Sequence, residues 1–354
     1  MTGRQRVLAA LNFRQSDKIP LDINAHPSSG INVTAYRNLR KYLELPPATL
    51  YIYDFVQQLA VVEKDILDYF DADTYQLGCD AGKTPEYWKD WRLEDGTPCK
   101  IPSAFSPHAH NFLPSQTHSS LLRETAAETR DSTDRAIYGV FGGSLAETGF
   151  SVFGTENFLE ELLTSPDRIH KFLDDLTEEH MENLKTYLDA AGNYIDIIGF
   201  NDDMCAQHAP LFSPDIYKDF FFLRQKKMWS YIHENFPELK ICLHCCGAAR
   251  QLMPLFAEAG LDALNPVQYS YKDMALKDLK NEFRGKLTLW GGGCGPESMF
   301  SETKPEDVRL AVRENIAIMN NGGGFVFQPV HNVLHDMPAE NITVMYNTVR
   351  EFSI

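Results

Sequence analysis

Residues 194–200 read YIDIIGF, a short apolar run typical of a strand buried on both faces of a parallel sheet. The tripeptide SPD at residues 213–215 predicts a helix start, with its serine as N-cap and its proline at the first helical position. That helix is expected to end near Phe236, just before the next apolar run, KICLH at residues 240–244. A strand, a helix and a second strand in this order form the unit from which parallel sheets are built.

The same alternation extends over most of the chain. A second SPD, at residues 165–167, predicts a helix to about Ala191, and TKPED at residues 303–307 predicts another to about Asn320. Eight apolar runs in 354 residues favour a closed (β/α)8 TIM barrel over an open doubly wound sheet, because no Gly-x-Gly-x-x-Gly follows the first run. The runs are residues 19–24, 73–77, 136–141, 194–200, 240–244, 263–266, 287–290 and 325–328.

Residues 80–130 interrupt this alternation. They contain Trp88, Trp91, scattered prolines and serines, and the turn pair Asp95-Gly96, which predicts a hairpin. We therefore expect an insertion after the second strand, long enough to lie near the barrel mouth, within a single domain that spans residues 1–354.

The composition of the chain indicates which classes of binding partner and which cellular compartment to expect. The chain carries 33 Lys and Arg against 49 Asp and Glu, a formal charge of -16, which disfavours nucleic acid and anionic membranes as partners. No apolar run approaches the roughly 18 residues of a spanning helix, and residues 7–11 are too short a run for a signal peptide. Seven irregularly spaced cysteines do not make a disulfide framework. We expect a cytoplasmic protein.

Polar residues follow seven of the eight apolar runs. In a (β/α)8 barrel such strand ends converge on one face, where the chemistry takes place, so the pattern favours an enzyme. For the acidic residues among them, capping of the segment that follows is the structural alternative. We expect catalytic roles for Asp202, Asp203 and His331, and substrate contacts from Asp22, Asn24, Asn201 and Gln268.

The most specific local signal is the triplet His244-Cys245-Cys246 at the end of the fifth run. Because strand side chains alternate, His244 and Cys246 are expected to face the mouth together, with Cys245 turned away. An imidazole and a thiolate so placed are ligands for zinc, and Cys294, after the seventh run, is our candidate third ligand. Asp202, His331 or a substrate could complete the site. The alternative is a buried thiol beside a packed histidine.

Several segments together resemble the uroporphyrinogen decarboxylase superfamily, whose fold is a (β/α)8 barrel. The likeness covers most of the chain outside residues 80–130. The segments are GRQRVLAALNFRQSDKIPLD at residues 3–22, NDDMCAQHAPLFSPDIYKDFF at 201–221, LHCCGAARQLMPLFAEAGLDALNPVQ at 243–268, LWGGGCG at 289–295 and GGGFVFQPVHNVLHDMPAENI at 322–342.

Two features of the resemblance bear on the branch of the superfamily. True uroporphyrinogen decarboxylases carry an arginine-rich motif after the first strand, where this chain has NAHPS at residues 24–28, so a porphyrinogen substrate is not expected. The other branch transfers methyl groups to or from corrinoid proteins with a zinc held by His-x-Cys and a distant Cys. His244 and Cys246 match the first two ligands. The family's third Cys falls where this chain has glycines 322–324, and Cys294 is the expected replacement.

The resemblance thus implies a zinc-dependent methyltransferase or demethylase. It would move a methyl group between a corrinoid (cobalamin) and a small thiol or methoxylated substrate. The corrinoid would be carried by a separate protein or supplied as a cosubstrate, since no Asp-x-His-x-x-Gly motif occurs. A homo-oligomer is compatible with this interpretation. The alternatives are a decarboxylase or lyase acting on a small carboxylic acid, and a non-catalytic small-molecule-binding barrel.

Overall fold

A computed structural model of the protein describes residues 1–78, 87–103, 119–295 and 302–352. The chain is an α/β protein centred on a curled sheet of seven parallel strands. In chain order the strands are β1 (Ile52–Asp54), β2 (Leu59–Ala60), β3 (Thr74–Gln76), β4 (Trp88–Arg92), β5 (Pro98–Pro102), β6 (Ala136–Gly142), β7 (Ile197–Asn201), β8 (Lys240–His244), β9 (Ala263–Asn265), β10 (Thr288–Trp290) and β11 (Phe325–Val326).

Helices lie between the strands of the large sheet, as the alternation in the sequence predicted. Within the described part of the chain, no helix combines the length and apolar composition that crossing a membrane requires. In chain order the helices are α1 (Gly3–Leu11), α2 (Val33–Tyr42), α3 (Lys64–Tyr69), α4 (Ser119–Ser132), α5 (Ala146–Phe153), α6 (Thr155–Thr164), α7 (Pro166–Ala191), α8 (Pro214–Tyr217), α9 (Leu223–Asn235), α10 (Met253–Ala259), α11 (Leu276–Glu282), α12 (Pro305–Met319) and α13 (Ala339–Glu351).

The large sheet has the strand order β11-β10-β9-β8-β7-β6-β3. Seven of the eight predicted runs are strands of this sheet. Its register sets Asn201 at the end of β7 opposite His244 at the end of β8, and His244 opposite Asn265 at the end of β9. The carboxyl ends of three neighbouring strands therefore present their polar side chains side by side.

The remaining run, residues 19–24, forms backbone bridges and not a strand. Phe327 N donates to Pro20 O and Asp22 N donates to Phe327 O, both at 2.8 Å, while Asp73 N donates to Leu21 O at 2.8 Å. Residues 20–22 therefore hydrogen-bond to segments at both edges of the large sheet. The run is short because Asn24, with φ of 61°, turns the chain out of the extended conformation.

Side chains on the concave face of the sheet form a separate apolar cluster. Tyr138, Cys242 and Trp290 are all buried there, and alternate residues such as Ile241 face the surrounding helices instead. Val7, Ala10 and Leu11 of α1 belong to the same inner cluster. Helix α1 therefore covers the amino-terminal side of the sheet, so that the open side is the one where the strands end.

Strands β4 and β5 pair in antiparallel fashion around Gly96, whose φ is 83°, and this confirms the predicted hairpin. Trp88 is buried with its ring 5.0 Å from that of Tyr51, whereas Trp91 is 46% exposed. Helix α4 begins within the range predicted as insertion and ends two residues beyond it, and it packs against α7 as one of the outer helices. Residues 79–86 and 104–118 of the predicted insertion lie outside the described residues.

Candidate functional site

His244 is held in one orientation by the next strand. Asn265 Nδ2 donates to Trp290 O at 2.9 Å, so its Oδ1 is an acceptor, and His244 Nδ1 donates to it at 2.9 Å. A neutral imidazole that carries its proton on Nδ1 has a free lone pair on Nε2. Histidine ligands of metals commonly have their second nitrogen fixed in this way.

Cys246 lies next to this free nitrogen, with its Sγ 3.4 Å from His244 Nε2. Its backbone N donates to Asp203 Oδ1 at 2.7 Å, and the N of Gly247 donates to Gln268 Oε1 at 2.5 Å. Cys245 points the other way and is fully buried, 4.0 Å from the thiol of Cys205. The side chains of residues 244–246 therefore alternate as predicted, with His244 and Cys246 on one side and Cys245 on the other.

His331 completes a group of three. The ligand atoms of His244, Cys246 and His331 all lie within 4.8 Å of one another. Asn332 Nδ2 donates to Gln57 Oε1 at 3.0 Å, so Asn332 Oδ1 accepts from His331 Nδ1, at 2.7 Å. His331 therefore also has its Nε2 free. Two imidazole nitrogens and one thiol form a donor set that suits zinc.

Cys294, the predicted third ligand, is not in this group. Its thiol is fully buried in the main apolar core, and its Sγ lies 3.8 Å from the carbonyl oxygen of Gly295. The preceding glycines 291 and 292 have φ of 114° and 78°, which turn the chain as it leaves β10. The end of β10 therefore does not bring Cys294 to the group, and the expectation that Cys294 is the third ligand is corrected. His331, one of the candidates to complete the site, lies with His244 and Cys246 instead.

Burial sets the protonation of the three groups. It lowers the pKa of His331 to about 4, and it lowers the pKa of His244, so both rings are neutral near pH 7. Burial, with the nearby carboxylates of Asp203 and Glu147, raises the pKa of the Cys246 thiol well above its ordinary value. The thiol alone is therefore a poor nucleophile, whereas a bound cation would favour its thiolate form.

A cavity of about 220 Å³ opens beside these groups at the carboxyl ends of the strands. Of the residues predicted for the site, Asn201, Asp203, His244 and His331 line it. Sequence reasoning did not assign the other lining residues to the site, because they lie within a strand, in a helix or in loops, without a local motif. These are His26, Pro27, Ser28, Gln57, Tyr138 and Glu147.

Glu147 is the acidic residue among these additional lining residues. Its carboxyl group, in the first turn of α5, has a pKa of about 8, raised by burial and by the carboxylates of Asp202 and Asp203. The sequence offered no signal for it, because Glu147 lies in a helix and not at a strand end. Three acidic residues therefore lie together at one side of the cavity.

Asp202, predicted to be catalytic, anchors a helix. Its carboxylate accepts hydrogen bonds from the backbone N of Leu145 (3.0 Å), Ala146 (3.2 Å) and Glu147 (3.0 Å) at the start of α5. Burial nevertheless raises its pKa to about 6. Asp202 is buried and is not among the lining residues. It caps α5, which precedes it in the chain, and not the segment that follows, and so it fixes the backbone that carries Glu147.

Three residues predicted to bind substrate lie behind the cavity wall. Asp22 accepts from Trp290 Nε1 at 2.8 Å and Thr74 Oγ1 at 2.8 Å, with His26 Nε2 3.2 Å away. Burial opposes its ionisation, but these partners, led by His26, lower the pKa of Asp22 overall. Asn24 and Gln268 are buried and do not line the cavity. Asp22 is connected to the cavity wall through the lining residue His26, whose Nε2 lies 3.2 Å from its Oδ2.

The sheet, its covering helices and the cavity at the strand ends define an α/β protein with a barrel-like architecture. The family profile of "Uroporphyrinogen decarboxylase (URO-D)" matches residues 97–352, and the chain therefore belongs to this family.

Curated relatives and a solved structure are consistent with this assignment. A uroporphyrinogen decarboxylase of Legionella pneumophila (strain Paris) is 24% identical over 218 residues, 62% of this chain and 56% of that protein. One of Actinobacillus succinogenes is 26% identical over 194 residues, 54% and 51% of the two chains. The chain thus spans about half the length of these relatives. A methyltransferase from Methanosarcina mazei shares the fold, with a TM-score of 0.65 and 17% identity over the full length of both chains.

Proposed function

We propose that the protein is a zinc-dependent methyltransferase that moves a methyl group between a corrinoid and a small thiol or methoxylated substrate. The observation that carries this proposal is the group of His244, Cys246 and His331, whose ligand atoms lie within 4.8 Å of one another beside a cavity. The fold shared with a methyltransferase of Methanosarcina mazei supports it. The binding of zinc, the use of a corrinoid and the class of substrate are all proposed here.

The residues of the chain have distinct roles in this mechanism. His244 and His331 would hold the metal through Nε2, while Asn265 and Asn332 fix the two rings through Nδ1. Cys246 would be the thiolate ligand, and Asp203 positions it by accepting from its backbone N. When bound, zinc supplies a Lewis acid that lowers the pKa of a coordinated thiol and makes its sulfur nucleophilic.

We also infer that residues 20–22 take the place of the eighth strand, so that the sheet closes as a (β/α)8 barrel. Their hydrogen bonds to both edges of the large sheet support this closure. In such a barrel the reacting groups lie at the carboxyl ends of the strands, which is where the cavity is found.

The cavity is too small for a tetrapyrrole. Its 220 Å³ corresponds to the liquid volume of about seven water molecules and lies below the usual range for sites of drug-sized ligands. A corrinoid would therefore stay outside, above the strand ends, while the small substrate enters. The same limit argues against a porphyrinogen substrate.

A lyase acting on a small carboxylic acid is the second enzymatic candidate, and family membership favours it. Enzymes that act on carboxylates usually hold them with arginine or lysine. Among the described residues that line the cavity, none is a lysine or an arginine. Because the described lining residues include no such group, we rank the lyase below the methyltransferase.

The test is a spectroscopic assay with methylcobalamin, a small thiol and zinc-loaded protein. We expect the methylcobalamin spectrum to convert to that of the demethylated cofactor, and Cys246→Ser to abolish the conversion. Cys205→Ser is the matched control, because Cys205 is half-buried, is not in the metal group and should leave the rate unchanged. No conversion with any thiol, and none with methoxylated donors and reduced cobalamin, would refute the methyltransferase. A purely binding barrel would retain ligand without turnover.

A further inference from the structure

We propose that Asp54 decides which ring nitrogen of His331 carries the proton, and thereby whether that ring can bind a metal ion. Asp54 is buried and is not among the described residues that line the cavity. It is a positioning residue, and it acts through Gln57 and Asn332. The inference deepens the proposed function and rests on it, because it takes His331 to be a zinc ligand.

The first argument is the direction of a chain of hydrogen bonds. Asp54 Oδ1 accepts from the backbone N of Gln57 at 3.0 Å, and Asp54 Oδ2 accepts from Gln57 Nε2 at 3.1 Å. A carboxylate can only accept, so the amide nitrogen of Gln57 faces Asp54 and its oxygen faces Asn332. Asn332 Nδ2 donates to that oxygen at 3.0 Å, and Asn332 Oδ1 lies 2.7 Å from His331 Nδ1. We call these four side chains the relay.

The second argument is that the relay passes its direction from one end to the other. Each amide side chain has one donor side and one acceptor side, so a fixed first member fixes the rest. Because Asn332 presents its oxygen, His331 carries the proton on Nδ1 and keeps the lone pair of Nε2 for a metal ion. If the relay ran the other way, Asn332 would present an N–H group to Nδ1. The proton would then be on Nε2, and that nitrogen could not bind a metal.

The third argument is that the relay is held together by the backbone around it. Asn32 Nδ2 donates to Gln57 O at 3.3 Å, and the backbone N of Asn32 donates to Val333 O at 2.9 Å. One residue thus ties the turn between β1 and β2 to the loop that follows β11. Asp54 and Asn332 are both buried, so water has little access to replace either partner. The short hairpin of β1 and β2 therefore places the first member of the relay.

His244 differs from His331 in what ends its hydrogen-bond chain. From His244 Nδ1 the chain passes through Asn265 and ends on the backbone oxygen of Trp290. A backbone carbonyl can also only accept, and a side-chain substitution does not remove it. A change at Asp54 should therefore alter the tautomer of His331 and leave that of His244 as it is.

Asp54→Asn should reverse the relay without changing its shape. The one oxygen of the new amide keeps the hydrogen bond from the backbone N of Gln57, so its NH2 group faces the Gln57 side chain, and that amide turns over. The reversal passes through Asn332 and moves the proton of His331 to Nε2. Adding Gln57→Glu to Asp54→Asn should restore the original direction, because a carboxylate at position 57 accepts from both of its neighbours.

Nitrogen-15 NMR of histidine-labelled, metal-free protein distinguishes the two tautomers at about pH 8, where imidazole groups are neutral. His331→Ala identifies the signals of His331. We expect the proton on Nδ1 in the unaltered protein and in the double variant, and on Nε2 in Asp54→Asn. His244 should carry its proton on Nδ1 in all three. Asp90→Asn is the matched control, because its side chain is exposed on the neighbouring hairpin and should leave both rings unchanged.

Competition titration against a chromophoric chelator measures the consequence for metal binding. Asp54→Asn should weaken zinc binding at least about tenfold, since disturbing the partner of a metal-binding histidine commonly has an effect of this size. The double variant should recover most of the affinity. A purely structural role for Asp54 would not predict this recovery, because Gln57→Glu would add a second substitution to a weakened fold.

Failure of this inference and failure of the proposed function give different results, because the tautomers are measured without zinc or corrinoid. A proton on Nε2 of His331 in the unaltered protein, or on Nδ1 in Asp54→Asn, would overturn the relay even if methylcobalamin is demethylated. The expected tautomers in a protein that binds no zinc would support the relay and refute the zinc site. If Asp54→Asn does not fold, Gln57→Leu breaks the relay at its centre and should give both tautomers of His331. The Nδ1 tautomer alone in that variant would overturn the inference.

Discussion

At the scale of single residues, the site depends on amide side chains that each fix one ring nitrogen. Asn265 and Asn332 fix the Nδ1 atoms of His244 and His331, so that both Nε2 atoms stay free. His244 and Cys246 could be predicted from the sequence, because they are two residues apart at a strand end. The sequence left His331 as one of three candidates to complete the site, alongside Asp202 and a substrate. It could not choose among them, because the position of His331 depends on how a loop some 85 residues further along folds back, which no local pattern encodes.

The carboxyl group of Glu147 predicts a pH dependence of stability in the metal-free protein. Its pKa is about 8 in the folded chain, well above the ordinary value of 4.5, so the folded state retains a proton that the unfolded chain releases. This group therefore makes the free energy of unfolding fall as the pH rises from about 5 to 8. Glu147→Gln should make that fall shallower in urea denaturation with chelator present. An unchanged slope would contradict the assigned burial of the carboxyl group.

At the scale of elements, the strongest signals were the apolar runs and the proline-marked helix starts. Helix α7 begins and ends where the sequence predicted, at Pro166 and Ala191. Strands β1 and β2 were missed, because strands of two or three residues are stabilised by pairing and leave little periodicity to detect. Cys294 was placed wrongly because its prediction took the ends of the fifth and seventh predicted strands to converge on one mouth. The positive-φ glycines 291 and 292 instead turn the chain as it leaves β10.

The two Ser-Pro helix starts look alike in sequence and differ in structure. Ser213 Oγ accepts from Ile216 N at 3.3 Å, whereas the side chain of Ser165 makes no capping hydrogen bond. Ser213→Ala should therefore lower the free energy of unfolding by about 1 kcal/mol, and Ser165→Ala by only a few tenths. Chemical denaturation of both variants measures the difference. Equal losses would show that the cap at Ser213 does not contribute as described.

At the scale of the whole molecule, the two ends of the chain meet at one buried carboxylate. Asp73, beside β3, accepts from Arg6 of α1 at 2.9 Å, from Arg350 of α13 at 2.9 Å and from Leu21 N at 2.8 Å. Asp73 thus anchors three parts of the fold: residues 20–22 between the edges of the sheet, the covering helix α1, and the last helix α13. The sequence predicted the strands on either side, but not this long-range convergence.

Asp73→Ala should destabilise the fold strongly, because it removes a buried carboxylate that two partly buried arginines and the backbone N of Leu21 share as acceptor. We expect a loss of about 3 kcal/mol or more in the free energy of unfolding. Asp71→Asn is the matched control: that side chain is 53% exposed and paired with Lys18, and asparagine tolerates the φ of 53° at this position, so the change should cost less than about 1 kcal/mol. Similar losses in the two variants would argue against Asp73 as the anchor.

The metal content of purified variants tests the central claim most directly. Elemental analysis of the unaltered protein, dialysed against zinc and then against buffer, should give about one zinc per chain. His331→Ala and Cys246→Ser should each lose most of it, because three protein ligands are the usual number for a catalytic zinc. Cys294→Ala should retain it, since that thiol lies in the core and outside the group. Full zinc in His331→Ala, or loss of zinc in a folded Cys294→Ala, would contradict the assigned site.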